Sequence, residues 1–450
     1  MKRIFLLPLC AIALLVGACS SDSSLPEASG KASVRAINAI STSPEFDFFI
    51  QERFLGEIGY KQGSITARYD DLEYTFNFDV LYAGATSRTR FASQFIDVEV
   101  GKDYSLLVSG SLASPTVTVW VGDEASFEDD DTVFEARFAH ATASQGALDY
   151  YFASPGVAPV PGEQVATLAF GEVTAAVNLP ADDYVLTITM AGDPAAVVYT
   201  SDTVSIAALG AYIFTSFDGD AGDIAPIFVT AINATGPSIG MPDQGFPPSV
   251  EFVNASMDLG TSDIYDDEPL TSLRVTDHAY LDVSNELSIA TGANTFYYTP
   301  AGDTTVVTLQ RTLSTIDGLR YRIIASGAAG DLTTSAVIRD LVPLETGAKL
   351  LTFDASNNFE FLNIYVVEAG ESIDEVLPRR LGLSAGLPAL PIRLAAGSYD
   401  IHVTETGEKV TLAGPYRIDV AVGDIVDMII VDTVDPAVLD ALFLSGGPTP

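Results

Sequence analysis

The chain has 450 residues, a hydrophobic content of 48%, a charged content of 18% and a formal net charge of -38. This composition excludes a disordered chain. The negative charge repels phosphate backbones, so we predict no binding to nucleic acid. Both cysteines, Cys10 and Cys19, lie near the N-terminus. The remaining sequence therefore cannot form a disulfide framework, a zinc–cysteine cluster or a thiol nucleophile.

The first segment is typical of a secretory signal. Lys2 and Arg3 precede an apolar run from Ile4 to Val16, which is too short for a membrane span and suits a signal-peptide core. The sequence Val-Gly-Ala-Cys that follows resembles the lipobox of bacterial lipoproteins. This resemblance implies that residues 1–18 are a signal peptide and that Cys19 becomes the acylated first residue, for example with palmitate. An ordinary secretory signal with an incidental cysteine is the alternative.

Residues 19–31 are mostly small and polar and predict a flexible tether. By analogy with bacterial lipoproteins, Ser20 after the acylated cysteine implies sorting to the outer membrane. Acyl chains on one residue give stable anchoring. We therefore predict a lipid-anchored protein of the bacterial outer membrane, on its periplasmic face or at the cell surface, whose first partner is the membrane.

One strand–loop–strand pattern occurs four times in the remaining sequence. An apolar-alternating run ends in a polar residue followed by alanine, and nine positions later a polar residue opens a second run. The pairs are Asn38 with Asp47, His140 with Asp149, Asn254 with Asp263, and Asp354 with Asn363. Short alternating segments with almost no helical periodicity favour an all-β fold of about four tandem immunoglobulin-like β-sandwich repeats. The predicted repeats are 32–125, 132–232, 249–340 and 348–445.

The alternation also predicts how the first strand of each repeat is oriented. Arg35, Arg137 and Glu251 occupy equivalent positions, so we expect this face of the strand to be solvated. The polar residue at the strand end should point inward and bind the backbone of the following loop. The aspartate nine positions later should form a local Asx-type turn beside a packed aromatic residue, or else line a ligand face.

The segments between repeats predict the overall shape. Residues 233–248 are the most Pro- and Gly-rich part of the chain and are predicted to be the main hinge of a rod of four repeats. Residues 435–444 allow two interpretations. Asp435 and Pro436 suit the start of a short helix, and a last strand is equally compatible with the sequence.

The segment ARFAHATASQGALDYYF, residues 136–152, resembles the opening of an uncharacterised domain family of bacterial envelope lipoproteins. The family pattern is roughly V-R-h-h-H-A-S-P-D-A-P-x-V-D-V-Y, where h is apolar. Arg137, His140, Ala141, Asp149 and Tyr151 fall on matching positions. The resemblance implies a β-sandwich repeat on a lipoprotein, and it implies no chemistry. The Ser-Pro-Asp-Ala-Pro loop of the pattern is absent from all four repeats.

The sequence contains few catalytic candidates. The pattern G-x-S-x-G occurs around Ser384, but a nucleophile elbow needs a helix after the serine, and Pro388 and Pro391 prevent one. The three histidines, His140, His278 and His402, lie in different repeats without metal-ligand spacing. We therefore predict that the protein is not an enzyme.

Acidic loops suggest a possible cation site. Asp218, Asp220 and Asp223 weakly resemble a calcium loop but lack its ordered spacing of acids. We predict no cofactor, with weak Ca²⁺ binding as the alternative. Repeated domains suit multivalent binding, so the predicted function is a non-catalytic surface binding or adhesion module for a glycan or an envelope or extracellular protein. A structural spacer of the envelope is the second hypothesis, and a hydrolase is the third.

Overall fold

The structure is a computed structural model that describes residues 28–219, 225–234 and 236–445. Within these ranges the chain forms strands, turns and loops, and contains no helix. The strands divide into four groups that each form two facing sheets. The predicted all-β fold of tandem β-sandwich repeats is confirmed. The predicted signal peptide, Cys19 and most of the predicted tether lie outside the described residues.

Repeat 1 contains eight strands. These are β1 (Lys31–Asn38), β2 (Phe46–Ile50), β3 (Arg53–Ile58), β4 (Ala67–Asp70), β5 (Glu73–Val80), β6 (Thr89–Asp97), β7 (Lys102–Ser111) and β8 (Ser114–Asp123). They form the sheets β4-β1-β7-β8 and β3-β2-β5-β6. Alternate side chains of each strand point between the sheets, and the core they form includes Phe46, Phe48, Phe76 and Phe78.

Repeat 2 contains ten strands. These are β9 (Val133–Ala141), β10 (Leu148–Ala153), β11 (Ala166–Leu168), β12 (Val177–Pro180), β13 (Asp183–Met190), β14 (Asp193–Thr200), β15 (Val204–Ser205), β16 (Ala211–Asp218), β17 (Ile227–Asn233) and β18 (Ile239–Met241). They form the sheet β12-β9-β16-β17-β18 and the sheet β11-β10-β13-β14, to which β15 is added beside β13.

Repeats 3 and 4 have eight strands each. Repeat 3 contains β19 (Ser249–Asn254), β20 (Ser262–Tyr265), β21 (Leu273–His278), β22 (Leu287–Ser288), β23 (Gly292–Pro300), β24 (Leu309–Thr315), β25 (Arg320–Ser326) and β26 (Thr333–Ile338). Repeat 4 contains β27 (Ala348–Asp354), β28 (Phe361–Glu368), β29 (Arg380–Ser384), β30 (Ile392–Leu394), β31 (Gly397–Glu405), β32 (Thr411–Val420), β33 (Ile425–Asp432) and β34 (Leu439–Ser445). Both repeat the two-sheet order of repeat 1.

The first strand of each repeat lies inside a sheet and pairs in parallel with a strand near the end of the repeat. The four parallel pairs are β1–β7, β9–β16, β19–β25 and β27–β33. A parallel pair needs a long crossover connection, and the strands of the second sheet provide it. This order differs from the immunoglobulin sheets, in which strand A lies beside strand B. The resemblance to immunoglobulin domains is thus one of architecture.

The sheet that holds the first strand packs face to face against the equivalent sheet of the neighbouring repeat. Between repeats 1 and 2, Ile37 and Trp120 are in one apolar cluster with Ile213 and Phe217. Between repeats 3 and 4 an equivalent cluster includes Val253, Ile324, Phe353 and Ile429. These central strands are therefore buried on both faces.

The prediction that the Arg35 face is solvated is wrong. Arg35 is only 2% exposed, and Arg137 and Glu251 are buried as well. The physical reason is that a second repeat covers this face. Alternation of residue types separates the two faces of a strand, but a polar face can still lie against another domain when its charges are paired.

The prediction of a rod is also wrong, because repeat 4 contacts repeat 1. The backbone N–H of Leu112 donates to Glu345 Oε1 at 2.8 Å, and the N–H of Glu345 donates to the carbonyl of Thr42 at 2.9 Å. Arg393 of repeat 4 forms an ion pair with Glu45 of repeat 1. The chain thus turns back on itself, and its first and last repeats touch.

The segment predicted to be the main hinge is held by both of its neighbours. Within residues 233–248, β18 pairs with β17, and the carbonyl of Met241 accepts a hydrogen bond from the Tyr199 hydroxyl at 2.7 Å. The carbonyl of Phe246 accepts one from the N–H of Gly318 in repeat 3 at 2.7 Å. These bonds restrict rotation, so the hinge interpretation is wrong.

Hydrogen bonds fix both ends of the described structure. Of the two alternatives for residues 435–444, the strand is confirmed by β34, which pairs with β33. At the other end, the backbone N–H groups of Ser29 and Gly30 donate to Asp71 Oδ1 at 2.7 and 3.0 Å. The described end of the predicted tether is therefore bound to repeat 1.

Candidate functional site

The polar residue at the end of each first strand holds the loop that follows it. Asn38 Oδ1 accepts from the N–H of Ile40 at 2.9 Å, and Asn254 Oδ1 accepts from the N–H of Ser256 at 3.1 Å. His140 uses Nδ1 in the same way and accepts from the N–H of Thr142 at 3.1 Å. These contacts match the loop-binding role that the sequence indicates.

The second polar atom of this position donates to a backbone carbonyl in three repeats. Asn38 Nδ2 donates to Ile58 at 3.2 Å, and Asn254 Nδ2 donates to Gly260 at 2.9 Å. His140 Nε2 lies 2.8 Å from the carbonyl oxygen of Gly146. Because Nδ1 of the same ring is an acceptor, Nε2 carries the proton and donates it. Burial lowers the pKa of His140, which keeps the ring neutral.

Asp354 of repeat 4 differs from the other three. Its Oδ1 accepts from the N–H and hydroxyl of Ser356 at 2.9 and 2.7 Å. Its Oδ2 is buried and has no hydrogen-bond partner in the described residues. Burial raises the pKa of Asp354 to about 6, and the nearby Asp432 adds to this effect. A protonated Oδ2 could donate a hydrogen bond, as the amide and imidazole nitrogens do in the other repeats.

The polar residue nine positions later binds the neighbouring strands and hairpin turns. Asp149 Oδ2 accepts from the N–H of Gly192 at 2.8 Å, and Asp263 Oδ2 accepts from the N–H of Gly302 at 2.9 Å. Asn363 Oδ1 accepts from the N–H of Gly382 at 3.0 Å. Asp47 instead pairs with Arg88 at 2.6 Å. The predicted local Asx-type turn is therefore wrong, because these partners lie many residues away in sequence.

Paired charges are buried between repeats 1 and 2. Arg35 Nη2 donates to both carboxylate oxygens of Asp103 at 2.7 and 2.6 Å. Arg137 Nη1 lies 3.7 Å from Asp103 Oδ2, and its Nε lies 3.4 Å from Glu135. Such charges are tolerated in an interior only when they are paired. This cluster helps to determine which repeats can pack together.

A different set of charges occupies the equivalent place between repeats 3 and 4. Arg322 bonds both Glu251 of its own repeat and Asp427 of repeat 4. Arg339 Nη1 lies 3.3 Å from Glu251. Sequence reasoning missed both clusters. The consecutive apolar residues Leu106, Leu107 and Val108 of β7, all buried, are the signal that could have indicated a strand covered on both sides.

A cleft of about 850 Å³ lies between repeats 1 and 4. Its walls include charged side chains from both repeats and apolar side chains such as Leu81, Val342 and Leu390. This size lies within the usual range of small-ligand sites, which often form between domains. The cleft does not include any of the eight repeated polar positions from the sequence.

The other candidate residues are not brought together. His278 lies in β21 and His402 in β31, and burial lowers the pKa of both imidazoles. Ser384 ends β29 and is followed by a turn, so a nucleophile elbow is not formed there. Among the residues that the structure describes, no group of three or more His, Cys, Asp or Glu side chains is placed to hold a metal ion.

Asp218 is the one calcium candidate within the described residues, since Asp220 and Asp223 lie outside them. Its carboxylate accepts from the N–H groups of Ala143 and Ser144 at 2.9 and 3.0 Å and from the Ser144 hydroxyl. Asp218 therefore anchors the loop between β9 and β10.

Comparison with known proteins gives one family match. Residues 32–151 match the model of "Domain of unknown function (DUF4397)". The matched range covers repeat 1, β9 and most of β10, and it is consistent with the predicted resemblance to an uncharacterised domain family. A search of curated proteins finds no match.

Two of the solved structures that the chain matches have low similarity scores. The TIE protein of Bacillus anthracis is 10% identical, with a TM-score of 0.15, over 90% of this chain and 69% of that chain. The family CBM26 module CBMbc from Eubacterium rectale Amy13K, solved in complex with maltoheptaose, is 10% identical, with a TM-score of 0.16, over 46% of this chain and 98% of that chain. Scores this low support no functional argument.

No helix in the described ranges is long and apolar enough to cross a membrane.

Proposed function

We propose that this protein is a non-catalytic lipoprotein of the bacterial outer membrane that binds a ligand in the cleft between repeats 1 and 4. The observation that carries the proposal is the cleft itself, which has a volume of about 850 Å³ and is lined by residues of both repeats. Sites between domains can take side chains from both, which suits recognition of a glycan or of an envelope or extracellular protein.

The anchor in this proposal is Cys19, which follows the lipobox-like sequence. Acylation there would hold the protein at the membrane. The remaining cysteine, Cys10, precedes the expected cleavage site. Binding therefore takes place at the envelope, on the periplasmic face or at the cell surface.

A structural spacer is the second candidate function, and the repetition of domains supports it. A spacer gains reach when its repeats extend. The ion pair of Arg393 with Glu45 holds repeat 4 against repeat 1, which shortens that reach. A hydrolase is the third, and the turn after Ser384 weighs against it.

The test uses the mature full-length chain, immobilised and exposed to arrays of glycans, matrix proteins and purified envelope components. We expect saturable binding that is weakened by Leu390→Trp, because Leu390 lines the cleft and a larger ring would fill it. Leu377→Trp is the matched control, since Leu377 is an exposed leucine of the same repeat that does not line the cleft.

Three outcomes separate the candidates. Equal binding by both variants would show that the ligand binds outside the cleft. Arrays without any binding, together with envelope defects when repeats 3 and 4 are deleted, would favour the spacer. Hydrolase activity that is lost on Ser384→Ala would support an enzyme.

A further inference from the structure

We infer that the cleft between repeats 1 and 4 binds a small anion that carries two or more carboxylate or phosphate groups. This inference rests on the proposed binding function and specifies the chemistry of the ligand. It comes from the side chains that line the cleft, among which cations outnumber carboxylates although the chain as a whole is strongly negative.

Cationic side chains are concentrated in this cleft. The chain has only 22 lysines and arginines and a net charge of -38. Six of these cations line the cleft, namely Lys61, Arg88, Lys349, Arg379, Arg380 and Arg393. Only three carboxylates line it, those of Glu45, Glu57 and Asp340. The cleft is thus a positive region on a strongly negative protein.

Three of the cations pair with carboxylates that line the cleft. Lys349 Nζ donates to both oxygens of Asp340 at 2.7 Å, and Arg393 pairs with Glu45. Arg88, the third, pairs with Glu57 at 3.2 Å and also with Asp47. These pairs account for all three carboxylates that line the cleft, and we assign them a structural role.

Arg379 and Arg380 are the groups available to a ligand. They are adjacent at the start of β29, after Pro378. The side chain of Arg379 is exposed, and within the described residues it makes no ion pair or hydrogen bond. Arg380 donates through Nη2 to the carbonyl of Leu390, which carries no full charge, and its buried Nε has no partner there. Two guanidinium groups therefore remain without a carboxylate.

Repeat 1 contributes Lys61 to the lining of the cleft. Lys61 follows β3, and its ammonium lies 4.7 Å from the ring centroid of Phe228 and 5.3 Å from that of Tyr60. Contacts with aromatic rings orient a cation. Both walls of the cleft thus carry cationic side chains, whose combined field attracts an anion.

The physical chemistry restricts the ligand further. A planar guanidinium binds carboxylate or phosphate through paired hydrogen bonds, and two adjacent guanidiniums suit an anion of higher valence. A long polyanion would extend beyond the cleft, where the net negative charge of the protein repels it. The cleft volume suits a molecule of drug or oligosaccharide size. A small multivalent anion pairs with both guanidiniums, stays within the cleft and fits its volume.

The test measures binding to the mature full-length chain by isothermal titration calorimetry at low ionic strength. Trigalacturonate represents carboxylate ligands, inorganic triphosphate represents phosphate ligands, and maltotriose is the neutral control. We expect at least one anion to bind and maltotriose not to. Arg379→Gln should weaken the binding about tenfold, the usual effect of losing a charge-assisted hydrogen bond. Added salt should weaken it as well.

Arg53→Gln is the matched control, because Arg53 is an exposed arginine of repeat 1 outside the cleft. The double variant Arg379→Gln/Arg380→Gln should lose binding while its thermal unfolding midpoint stays close to that of the parent.

The inference is overturned if neither anion binds, if maltotriose binds equally well, or if Arg379→Gln and Arg53→Gln behave alike. The proposed function is tested separately. It would still hold in each of these cases if the arrays gave a neutral ligand whose binding is weakened by Leu390→Trp.

Discussion

The indole nitrogen of Trp120 in repeat 1 donates a hydrogen bond of 2.8 Å to the carbonyl oxygen of Gly171 in repeat 2. The second pair of repeats has an equivalent bond, because Ser335 Oγ in repeat 3 donates to the carbonyl of Gly386 in repeat 4 at 2.6 Å. Two different residue types thus make the same connection between packed sheets. The four repeats thus form two pairs, repeat 1 with repeat 2 and repeat 3 with repeat 4, and the members of each pair cover one sheet of each other.

The first prediction concerns this bond. Trp120→Phe keeps an aromatic ring but leaves the Gly171 carbonyl without its donor, so we expect a loss of about 1–3 kcal/mol in the free energy of unfolding. Trp120→Ala should cost about 3–5 kcal/mol, because it also creates a cavity. Urea unfolding followed by circular dichroism measures both. Phe95→Leu, at an exposed aromatic residue, should change little. A similar small effect for Trp120→Ala would contradict the account of the interface.

The second prediction concerns the charges between repeats 1 and 2. Asp103→Leu removes the partner of Arg35 and leaves a buried guanidinium unpaired, so we expect a loss of about 3–5 kcal/mol. The double variant Arg35→Met/Asp103→Leu should recover most of this loss, because the unpaired charge of Arg35 is then gone and Arg137 keeps Glu135 as its partner. Asp123→Asn is the control, since the exposed pair of Asp123 with Lys102 should contribute little to stability. A double variant no more stable than Asp103→Leu would show that the pair itself is required.

The third prediction is a pH dependence that arises from Asp354. Its pKa is raised from 3.8 to about 6 by burial, so the folded state binds more protons than the unfolded state between these values. Stability should therefore fall as the pH rises from about 4 to 6 and then level off. The difference is on the order of 3 kcal/mol.

Asp354→Asn should remove this dependence and stabilise the protein at pH 7, because the amide can donate where Asn38 and Asn254 donate in their repeats. The measurement is the thermal unfolding midpoint of both proteins across pH 4 to 8. The exposed residue Asp129 gives a control variant, Asp129→Asn, which should follow the parent. If Asp354→Asn lowers the midpoint at pH 7, the carboxylate is needed in its charged form.

The fourth prediction concerns the anchor, which lies outside the described residues. Cys19→Ser should abolish labelling with palmitate and move the chain from the membrane fraction to the soluble fraction. Cys10→Ser should retain both properties, because Cys10 lies in the segment expected to be removed. Unlabelled wild-type protein in membranes would exclude the lipoprotein interpretation.

Local patterns accounted for the structure of each repeat but not for its surroundings. The strands that carry Asn38 and His140 were predictable, because alternation and a polar strand end depend on neighbouring residues. The loop contacts of these side chains were predictable for the same reason. The partners of Asp149 and Asp263 were not, since Gly192 and Gly302 come close to them only after a hairpin has formed.

By itself the sequence determined an all-β chain of tandem sandwiches, because residue alternation and turn residues act over a few positions. Only the tertiary structure decided that Arg35 is buried, that the first and last repeats touch and that cations from both meet in one cleft. Contacts such as that of Leu112 with Glu345 join residues 233 positions apart. Their energy depends on the complementary shapes and charges of folded surfaces, which no local pattern contains.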